Sequence, residues 1–277
     1  MSEGTGHPPP RVSVIMPVHD AGAFLEPAVR SILDQTFTGL ELVAVDDGSS
    51  DGSDERLRAM AQQDERLRPI FNDRNRGIVA SRNLGFEASN PSAEYLAIMD
   101  SDDVAAPHRI ATQVAFLDEH PQCALVGAHN RIIDAAGAVI GSRHYPCDYA
   151  SICRAITRYN PISQPTAMLR RSVLEAVGPY DPAYPRCQDY DLWCRIAAKY
   201  EIANVDDFLL DYRLSSTQGK RTHLKETLRL TLDIQRRFMD HPRFHNPLNR
   251  VAWLSQRALL SLPEPLILQA FKLLRYS

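Results

Sequence analysis

The sequence predicts an α/β protein in which a mostly parallel central sheet is flanked by helices. In the N-terminal part of the chain, short apolar and β-branched runs alternate with segments whose apolar residues recur at helical spacing. Such alternation is typical of right-handed βαβ units. Two clusters of carboxylates follow directly after predicted strands. Parallel sheets bind ligands at that edge, because loops and helix N-termini converge there.

The first predicted strand covers residues 12–18, because VSVIMPV is a continuous apolar run of the kind that is covered on both faces. Asp20 is predicted to cap the helix whose apolar residues recur from 24 to 33, and Ser53 to cap the helix that ends near Met60. The other predicted strands are 40–45, 69–71, 95–99 and 124–128, and the other predicted helices are 79–88, 109–119, 171–177 and 189–200.

The alternation of strands and helices changes in the second half of the chain. Residues 130–140, broken by Ala135-Ala136-Gly137, are predicted to form a hairpin, which indicates a small antiparallel subregion on the same sheet. Residues 222–239 and 251–276 are predicted to form a helical tail. The predicted organisation is a disordered N-terminus at 1–10, one domain at 11–216 with halves at about 11–104 and 105–216, and a helical extension at 217–277.

Composition excludes several classes of protein. Of the 277 residues, 44% are hydrophobic and 23% are charged, which excludes disordered, collagenous and coiled-coil chains. The 31 Lys and Arg residues and 34 Asp and Glu residues leave a net charge of -3, so no nucleic-acid partner is expected. Five cysteines without CxxC spacing favour neither a disulfide framework nor a zinc site. With no secretory signal and no apolar run long enough to span a bilayer, a cytoplasmic location is expected.

The segment Asp100-Ser101-Asp102-Asp103 places several carboxylates within one turn, directly after a predicted strand. Like charges this close are unfavourable unless a cation neutralises them. Mg²⁺ or Mn²⁺ is often held by one or two carboxylates together with substrate phosphates. A loop that caps the next helix would use the same residue types, so the segment alone leaves both interpretations open.

Two further acidic clusters also allow two interpretations. Asp46-Asp47-Gly48 closes the second predicted strand, where a carboxylate can accept a hydrogen bond from a base or ribose, or can form a turn before a helix. Asp189 and Asp191 open a predicted helix. The helix dipole favours a charged carboxylate there, which suits a general base and equally suits a cap.

The motifs, taken in order, resemble those of the family 2 glycosyltransferases, a large inverting group with the Rossmann-like GT-A nucleotide-diphospho-sugar transferase fold. They are VSVIMPVHD, Gln35-Thr36-Phe37, ELVAVDDGSSDGS, NRGIVASRNLGFEAS, YLAIMDSDD, TAMLRRSVLEAVGPYD, QDYDLWCRI and DYRLSS, and they span about residues 12–216. The resemblance implies a hexosyltransferase-type enzyme that moves a sugar from a nucleotide-diphospho-sugar to a hydroxyl of a glycan or lipid-linked acceptor. Cell-surface polysaccharide synthesis is the expected setting, with UDP as the default nucleotide and dTDP or GDP as open alternatives.

The resemblance also implies roles for single residues. Asp102 would bind Mn²⁺ or Mg²⁺, with Asp103 as the alternative ligand, and Asp189 would be the general base, with Asp191 as its alternate. The residues implied in donor binding are Pro17, Val18 and His19 in the nucleobase pocket, Asp47 on the base, Arg82 and Asn83 on the ribose and pyrophosphate, and Asp100 on the ribose side. A solvated helix face is the alternative interpretation of Arg82.

Two positions depart from the family pattern. Gln188 replaces the Glu that usually precedes the base, and Leu214 and Ser215 follow Tyr212-Arg213 where many relatives have a metal-binding His. These departures leave open a degenerate homologue that binds the donor as a subunit of a complex. A haloacid-dehalogenase-type phosphatase is disfavoured because no D-x-D-x-T/V follows the first strand, and a sugar-nucleotide pyrophosphorylase because no Gly-rich basic loop does.

The end of the chain is rich in leucine from Leu259 to Leu274, and Arg257, Lys272 and Arg275 lie within or beside this stretch. A basic amphipathic helix of this kind can lie on the inner face of the membrane, where a lipid-linked acceptor would be presented. It can equally pack on its own domain or on a second copy of the chain. A peripheral membrane contact and a homodimer are therefore both left open.

Overall fold

The computed structural model describes residues 9–214, 223–244 and 246–263. The strands, numbered along the chain, are β1 (Val12–Val18), β2 (Leu40–Asp46), β3 (Leu67–Phe71), β4 (Tyr95–Ile98), β5 (Val104–Ala105), β6 (Cys123–Ile133), β7 (Val139–Arg143), β8 (Met168–Arg170) and β9 (Glu201–Arg213). The helices are α1 (Leu25–Leu33), α2 (Ser53–Ala61), α3 (Ile78–Ala88), α4 (Arg109–Glu119), α5 (Tyr149–Ala155), α6 (Arg171–Val177), α7 (Gln188–Ala197), α8 (Leu224–Phe238) and α9 (Pro247–Ala258). The prediction of a disordered N-terminus falls mainly on residues 1–8, which lie outside the described residues.

One sheet carries all of these strands in the order β3-β2-β1-β4-β8-β6-β9-β5, with β7 paired to β6. The β3-β2-β1-β4 part is parallel, and so is the long pairing of β6 with β9. β8 runs antiparallel to both β4 and β6, and β7 forms the predicted hairpin with β6. The predicted α/β fold with a mostly parallel sheet and an antiparallel subregion is confirmed.

The two faces of the sheet bury separate layers of helices. Along β1, Val14, Met16 and Val18 pack with α1, α2 and α4, whereas Ile15 packs with α3 and α7 on the other face. This alternation explains the continuous apolar run, since both faces of the strand are covered. Gly85 allows α3 to lie close to the sheet, because a Cβ there would meet the Ile15 side chain at 2.4 Å. The close approach packs α3 tightly against β1 and β2.

Two predicted helix caps are wrong. Asp20 has a φ of 48° and its carboxylate accepts a hydrogen bond from the Ser50 backbone. α1 instead starts after a short 3-10 turn, with Phe24 as its N-cap. Ser53 is the first residue of α2, and its backbone N–H donates to the Asp51 carboxylate. The carboxylates of Asp20 and Asp51 therefore bind backbone N–H groups in the loops, and neither residue is the N-cap of a helix.

The predicted continuous helix at 251–276 is also wrong within the described residues. Asn246 caps α9 by accepting a hydrogen bond from Leu248 N, and Pro247 occupies the first turn, so the helix starts earlier than predicted. It ends at Ala258 and a 3-10 turn, and Leu262 is extended with a ψ of 153°. Pro263 accounts for this ending, because the residue before a proline disfavours the helical conformation. The rest of the prediction falls on 264–277, outside the described residues.

The tail helices pack onto the domain. Arg237 of α8 donates to the Asp191 carboxylate of α7 at 3.1 Å, and Ile234 and Phe238 enter the core on that face. Trp253 of α9 then donates to the Leu232 carbonyl of α8 at 2.8 Å. The part of the predicted extension that the structure describes, up to residue 263, therefore packs on the domain next to α7. Its first helix, α8, contributes side chains to the core on one face of the sheet.

Candidate functional site

The loops after β1 and β2 are joined to each other at the carboxyl end of the sheet. Asp20 accepts from Ser50 N at 2.7 Å, and the Gly22 N–H donates to the Asp51 carboxylate at 2.7 Å. The Asp47 N–H continues the sheet by donating to the Val18 carbonyl at 2.8 Å. The predicted donor-binding segments at 17–19 and 46–52 therefore form one connected rim.

Asp47 is buried, with 3% of its surface exposed, and hydrogen bonds hold its carboxylate in place. It accepts from Asn72 Nδ2 at 2.8 Å, from Arg76 N at 2.9 Å and from Gly77 N at 2.8 Å. Burial by itself would raise the pKa of Asp47, but these hydrogen bonds stabilise the charged form and lower the pKa below its usual value. The carboxylate is thus fixed and ionised.

Gly48 has to be glycine for two reasons. Its φ is +70°, and a Cβ at this position would meet the backbone of Arg74 at 2.6 Å. The tight contact lets the 72–77 segment pass directly over the end of β2. That segment supplies the hydrogen bonds to Asp47.

Asp100, at the end of β4, forms an ion pair with Arg82 of α3. The distance between Arg82 Nη2 and Asp100 Oδ1 is 2.5 Å, and the side chains are 1% and 25% exposed. Burial alone would lower the pKa of Arg82, but Asp100, Tyr180 and Asp189 outweigh it and the pKa is raised. Nε and Nη1 of Arg82 are buried and find no hydrogen-bond partner within the described part of the chain. The interpretation of Arg82 as a solvated helix residue is wrong.

Asp102 and Asp103 differ sharply in exposure. Asp102 is half-buried, whereas Asp103 is 0% exposed and accepts from Arg213 N at 2.8 Å. Arg213 also donates from Nε to the Asp102 carbonyl at 2.8 Å, so the end of β9 closes on this loop. Asp103 as the alternative metal ligand is therefore wrong in this conformation, because its carboxylate points into the protein.

A second buried guanidinium lies behind the acidic loop. Arg109 is 0% exposed and donates to the Ile98 carbonyl at 2.8 Å. Burial lowers the pKa of Arg109 to about 10, and Asp103 and Asp100 oppose that shift. Arg82 and Arg109 thus place two positive charges beneath the carboxylates. The like-charge repulsion predicted from the sequence is offset within the protein itself.

Asp189 lies in the first turn of α7 and is half-buried. Its carboxylate accepts from Asn160 Nδ2 at 2.7 Å and is close enough to raise the pKa of Arg82. Cys187, just before it, has a left-handed backbone with a φ of 59°. Asp20 and Cys187 are the non-glycine residues with positive φ in the described ranges, and both lie beside predicted site residues.

Asp191, the alternate base, lies on the opposite side of α7 from the rim. It is 0% exposed, and its two oxygens accept from Arg195 Nε at 2.7 Å and from Arg237 Nη1 at 3.1 Å. A carboxylate that is buried and held by two arginines has no access to an acceptor hydroxyl. The prediction of Asp191 as an alternate base is therefore wrong, and its charge joins α7 to α8.

These carboxylates at the ends of β2 and β4 and at the start of α7 occur in a chain that matches a known family over most of its sheet. The profile described as "Glycosyl transferase family 2" matches residues 13–178, more than half of the chain. The chain belongs to glycosyltransferase family 2. The resemblance inferred from the motifs is confirmed, and the protein is a glycosyltransferase.

Curated relatives agree with this assignment. An uncharacterized glycosyltransferase of Haemophilus influenzae is 30% identical over 226 residues, which cover 78% of this chain and 69% of the relative. The putative glycosyltransferase EpsE of Bacillus subtilis is 31% identical over 216 residues, covering 76% of each chain.

Solved structures share the fold of this glycosyltransferase. A mannosyltransferase, PcManGT from Pyrobaculum calidifontis, was solved in complex with GDP-Man and Mn²⁺. It superposes with a TM-score of 0.68 at 21% identity, covering 97% of this chain and 81% of that one. S. aureus TarS 1-349 in complex with UDP-GlcNAc superposes with a TM-score of 0.62 at 19% identity, covering 81% of this chain and 66% of that one. At these identities the structures support the GT-A fold alone.

The remaining predicted donor-binding residues of the glycosyltransferase differ in exposure. His19 is exposed, and its Nε2 lies 2.9 Å from Asn75 Nδ2. Pro17 is buried. It lies beyond the last residue of β1 that pairs with β4, so the missing N–H of the proline removes no hydrogen bond between these two strands. Val18 is 1% exposed and packs in the core, so its side chain does not line a pocket. The prediction of Val18 as a pocket residue is wrong. Successive side chains of β1 point to opposite faces of the sheet, and that of Val18 points to the face covered by α1.

Asn83 is engaged away from the rim. Its Nδ2 donates to the Tyr180 carbonyl at 2.9 Å, and its Oδ1 accepts from Tyr180 N at 3.1 Å. The Tyr180 ring stacks on Phe86 with centroids 5.5 Å apart, and its hydroxyl accepts from Gln164 at 3.1 Å. Asn83 therefore holds the segment that leads to α7. Both polar atoms of its side chain are used by Tyr180.

Sequence reasoning missed Arg109, Asn160 and the packing role of Arg213. One signal for Arg109 was present, since it shares a helical face with Ile110, Val114 and Leu117, all of which are buried. A polar residue in such a stripe predicts a buried hydrogen-bonding group. Asn160 has no comparable signal, because it lies outside the helices and strands and so belongs to no periodic pattern.

Replacing Arg82 with Ala is expected to lower the free energy of unfolding by about 3 kcal/mol. The change leaves Asp100 beside Asp102 and Asp103 without the guanidinium that it binds. R82K should recover part of the loss, because it keeps the charge without the planar fork. The measurement is urea unfolding followed by circular dichroism.

Arg76→Ala is the matched control for Arg82. Arg76 lies on the same rim but pairs with Asp73 at the surface, with 52% of its side chain exposed. Its loss should lower the free energy of unfolding far less than the loss of Arg82, because an exposed ion pair contributes little. Similar values for R76A and R82A would show that the buried position of Arg82 has no energetic importance.

Proposed function

We propose that this glycosyltransferase moves a sugar from a nucleotide-diphospho-sugar to a hydroxyl of a glycan or lipid-linked acceptor, with inversion at the anomeric carbon. Cell-surface polysaccharide synthesis in the cytoplasm, at the inner face of the membrane, is the proposed setting. The observation that carries the proposal is that Asp100, at the end of β4, pairs with the buried Arg82, while Asn160 holds the half-buried Asp189 at the start of α7. The donor is proposed to lie at the end of the sheet, between these two carboxylates.

The reaction proposed is a single displacement. Asp189 takes the proton from the acceptor hydroxyl, and the oxygen attacks the anomeric carbon while the nucleoside diphosphate leaves from the opposite face. Asn160 fixes the orientation of Asp189 by donating to Oδ2 at 2.7 Å. Gln188 is 6% exposed, so its replacement of the usual Glu removes a charge beside Asp189 while its side chain stays in the core.

Asp47 and His19 are proposed to bind the nucleobase. Asp47 is ionised and rigid, and His19 is exposed on the same rim, so a base could stack on the ring while donating to the carboxylate. UDP is the proposed nucleotide. Since the structural neighbours were solved with either UDP-GlcNAc or GDP-Man, the fold accommodates both kinds of donor, and dTDP and GDP are tested alongside UDP.

Mn²⁺ or Mg²⁺ is the proposed cofactor, and the donor set fits a hard divalent ion. Asp102 is a half-buried carboxylate beside Asp100 at a strand end, and the position after Arg213 carries Leu214 in place of a His. Asp102 would hold the ion, which would supply positive charge for the departing diphosphate. Because Arg82 and Arg109 already offset part of the negative charge, one carboxylate ligand and the diphosphate are a sufficient set.

Asp189→Asn is expected to lower the rate of sugar transfer by about 10²- to 10⁴-fold, because the amide cannot accept the proton. Donor binding should be unchanged, since Asn retains the size and the hydrogen bond from Asn160. The measurement is transfer from radiolabelled nucleotide sugar with Mn²⁺, together with donor binding by calorimetry. Asp181→Asn, in the segment before α7, is the matched control and should behave as wild type.

Two outcomes of the transfer assay would contradict the proposal. Full turnover by D189N would place the base elsewhere. Donor binding by the wild-type chain without any transfer or hydrolysis would favour a degenerate, donor-binding subunit over an enzyme.

Asp102→Ala is expected to abolish the part of donor binding that depends on Mn²⁺. The measurement is a thermal-shift screen of UDP-, dTDP- and GDP-sugars with and without Mn²⁺, in which the wild type should show its largest shift with one UDP-sugar and the metal. Asp103→Asn serves as the comparison, because its carboxylate is buried against Arg213. A metal-dependent shift retained in D102A would remove Asp102 as the ligand.

We also infer that α8 and α9 contact an anionic membrane surface. No helix in the described ranges is long and apolar enough to span a bilayer. α9, however, exposes Leu248, Val251 and Leu254 at 62%, 63% and 58%, spaced one turn apart on one side. Three large apolar side chains in one exposed row are typical of a helix that lies at an interface.

Arginines line the cleft between α8 and α9, on the side of α9 where Trp253 faces α8. Arg229 and Arg236 of α8 and Arg257 of α9 line an open depression of about 170 Å³, together with Trp253 and one carboxylate, Asp233. Each arginine near an anionic bilayer contributes about 1 kcal/mol of attraction. The exposed apolar row of α9 and the arginines of the neighbouring cleft are both features of a surface that contacts an anionic bilayer.

Val251→Glu with Leu254→Glu is expected to reduce flotation with phosphatidylglycerol vesicles by about tenfold. Val139→Glu with Ile140→Glu is the control, because both residues are 58% exposed but lie on β7. A chain ending at residue 263 tests whether the contact resides in α8 and α9 or in 264–277. Equal flotation of the two double variants would contradict the α9 surface, and a change in elution volume without loss of flotation would indicate a homodimer instead.

A further inference from the structure

A second cluster of metal-ligating side chains lies in the acceptor half, away from the carboxylates at the ends of β2 and β4. His129 of β6, Cys147 after β7 and Asp206 of β9 each place one ligand atom within 4.8 Å of the others. The cysteine spacing in the sequence favours no zinc site. Here the candidate ligands come from three separate segments, which no short motif reveals.

An irregularity in the sheet places Asp206. The β6–β9 register shifts between Ala128 and His129, so that Val205 pairs with Ala128 but Phe208 pairs with His129. The two residues between them, Asp206 and Asp207, are left out of the ladder. Asp206 reaches back to His129 Nε2 at 3.0 Å, whereas Asp207 pairs with His108 at 3.1 Å.

The segment that carries Cys147 is held over this bulge by hydrogen bonds. Tyr145 N donates to His129 Nδ1 at 3.2 Å, and the Cys147 carbonyl accepts from Asn204 N at 3.0 Å. The Asn204 side chain also donates to the Pro146 carbonyl at 2.7 Å. The sulfur is therefore kept beside His129 by the fold rather than by chance exposure.

The three groups differ in exposure in a way that suits ion capture. The His129 side chain is 4% exposed, whereas the Asp206 side chain is 88% exposed and open to solvent. Burial, followed by the charges of Asp206 and Asp148, raises the pKa of the Cys147 thiol. A cation between the sulfur and the carboxylate would relieve this repulsion.

Imidazole nitrogen, thiolate sulfur and carboxylate oxygen together form a ligand set for Zn²⁺. With Zn–N near 2.0–2.1 Å and Zn–S near 2.3 Å, ligand atoms in a tetrahedral site lie about 3.3–3.7 Å apart. The 3.0 Å separation of His129 Nε2 and Asp206 Oδ1 is close to that value. Closing the rest of the cluster requires a shift of the exposed carboxylate and of the Cys147 segment by roughly an ångström.

We propose that His129, Cys147 and Asp206 bind Zn²⁺, at a site separate from Asp102. The fourth position would be taken by water or by His144, whose ring packs edge-on to His129 with centroids 4.8 Å apart. On binding, the thiol proton passes to solvent, and the proton on His129 Nε2 moves to Nδ1, which breaks the long hydrogen bond from Tyr145. The thiolate and carboxylate charges balance the dication.

Titration of the full chain with Co²⁺ tests the site, because a thiolate ligand gives a sulfur-to-cobalt charge-transfer absorption that carboxylate sites do not. The wild type should show this absorption with about one equivalent of Co²⁺, and Zn²⁺ should displace it. Cys147→Ser should abolish the absorption. Cys187→Ser, at another half-buried cysteine, should leave it unchanged.

Asp206→Asn and Asp207→Asn form a matched pair of neighbours in the same bulge. D206N should weaken Zn²⁺ binding at least about tenfold in competition with a chelating dye, whereas D207N should bind as wild type. Folding of each variant is checked by its melting temperature without metal. Absence of the charge-transfer absorption in the wild type, its persistence in C147S, or equal affinities of D206N and D207N would overturn the proposal.

Discussion

The buried ion pair between Arg82 and Asp100 is the interaction on which the rest of the site depends. Its guanidinium is 1% exposed and lies among Asp100, Asp189 and the Tyr180 ring. A buried charge is tolerated only when it is paired, and removing one partner of such a pair is costly. Arg82 therefore holds the end of β4 through an ion pair, and its charge also attracts the Asp189 carboxylate at the start of α7. The predicted donor side and the predicted base are held in one electrostatic unit.

The near-neutral composition conceals a strongly organised distribution of charge. The chain carries a net charge of -3, yet a group of its acidic residues lies at the carboxyl edge of the sheet and buried arginines lie directly behind them. Arg109 and Arg213 approach the same loop from α4 and β9. The carboxylates of the acidic loop thus lie directly over buried arginines, and these positive charges offset part of the repulsion that an external cation would otherwise have to neutralise.

Sequence reasoning predicted the fold well because apolar runs and helical periodicity report burial directly. It predicted Asp47 and Asp100 at one edge because strand ends converge in a parallel sheet, and the resemblance to the family 2 glycosyltransferases added Asp189 to that site. It placed Val18 and Asp191 wrongly, since a strand residue or a helix residue can belong to a motif and still face the core. Asn83 shows the same limit: its partner, Tyr180, is 97 residues away and no local pattern links them.

The hydrogen bonds between Asn83 and Tyr180 have a consequence for how the molecule acquires its structure. Arg171, at the start of α6, likewise reaches back to the carbonyls of Ala93 and Asn90, and β4 is completed by β8. Contacts of such long sequence separation slow folding, because the intervening chain must be ordered before they form. While only the N-terminal half has been synthesised, the edge of β4 is exposed and the Asn83 side chain lacks its hydrogen bonds to Tyr180. The two halves are therefore successive parts of one cooperative folding unit, and the rim that gathers the carboxylates is completed only when α7 docks.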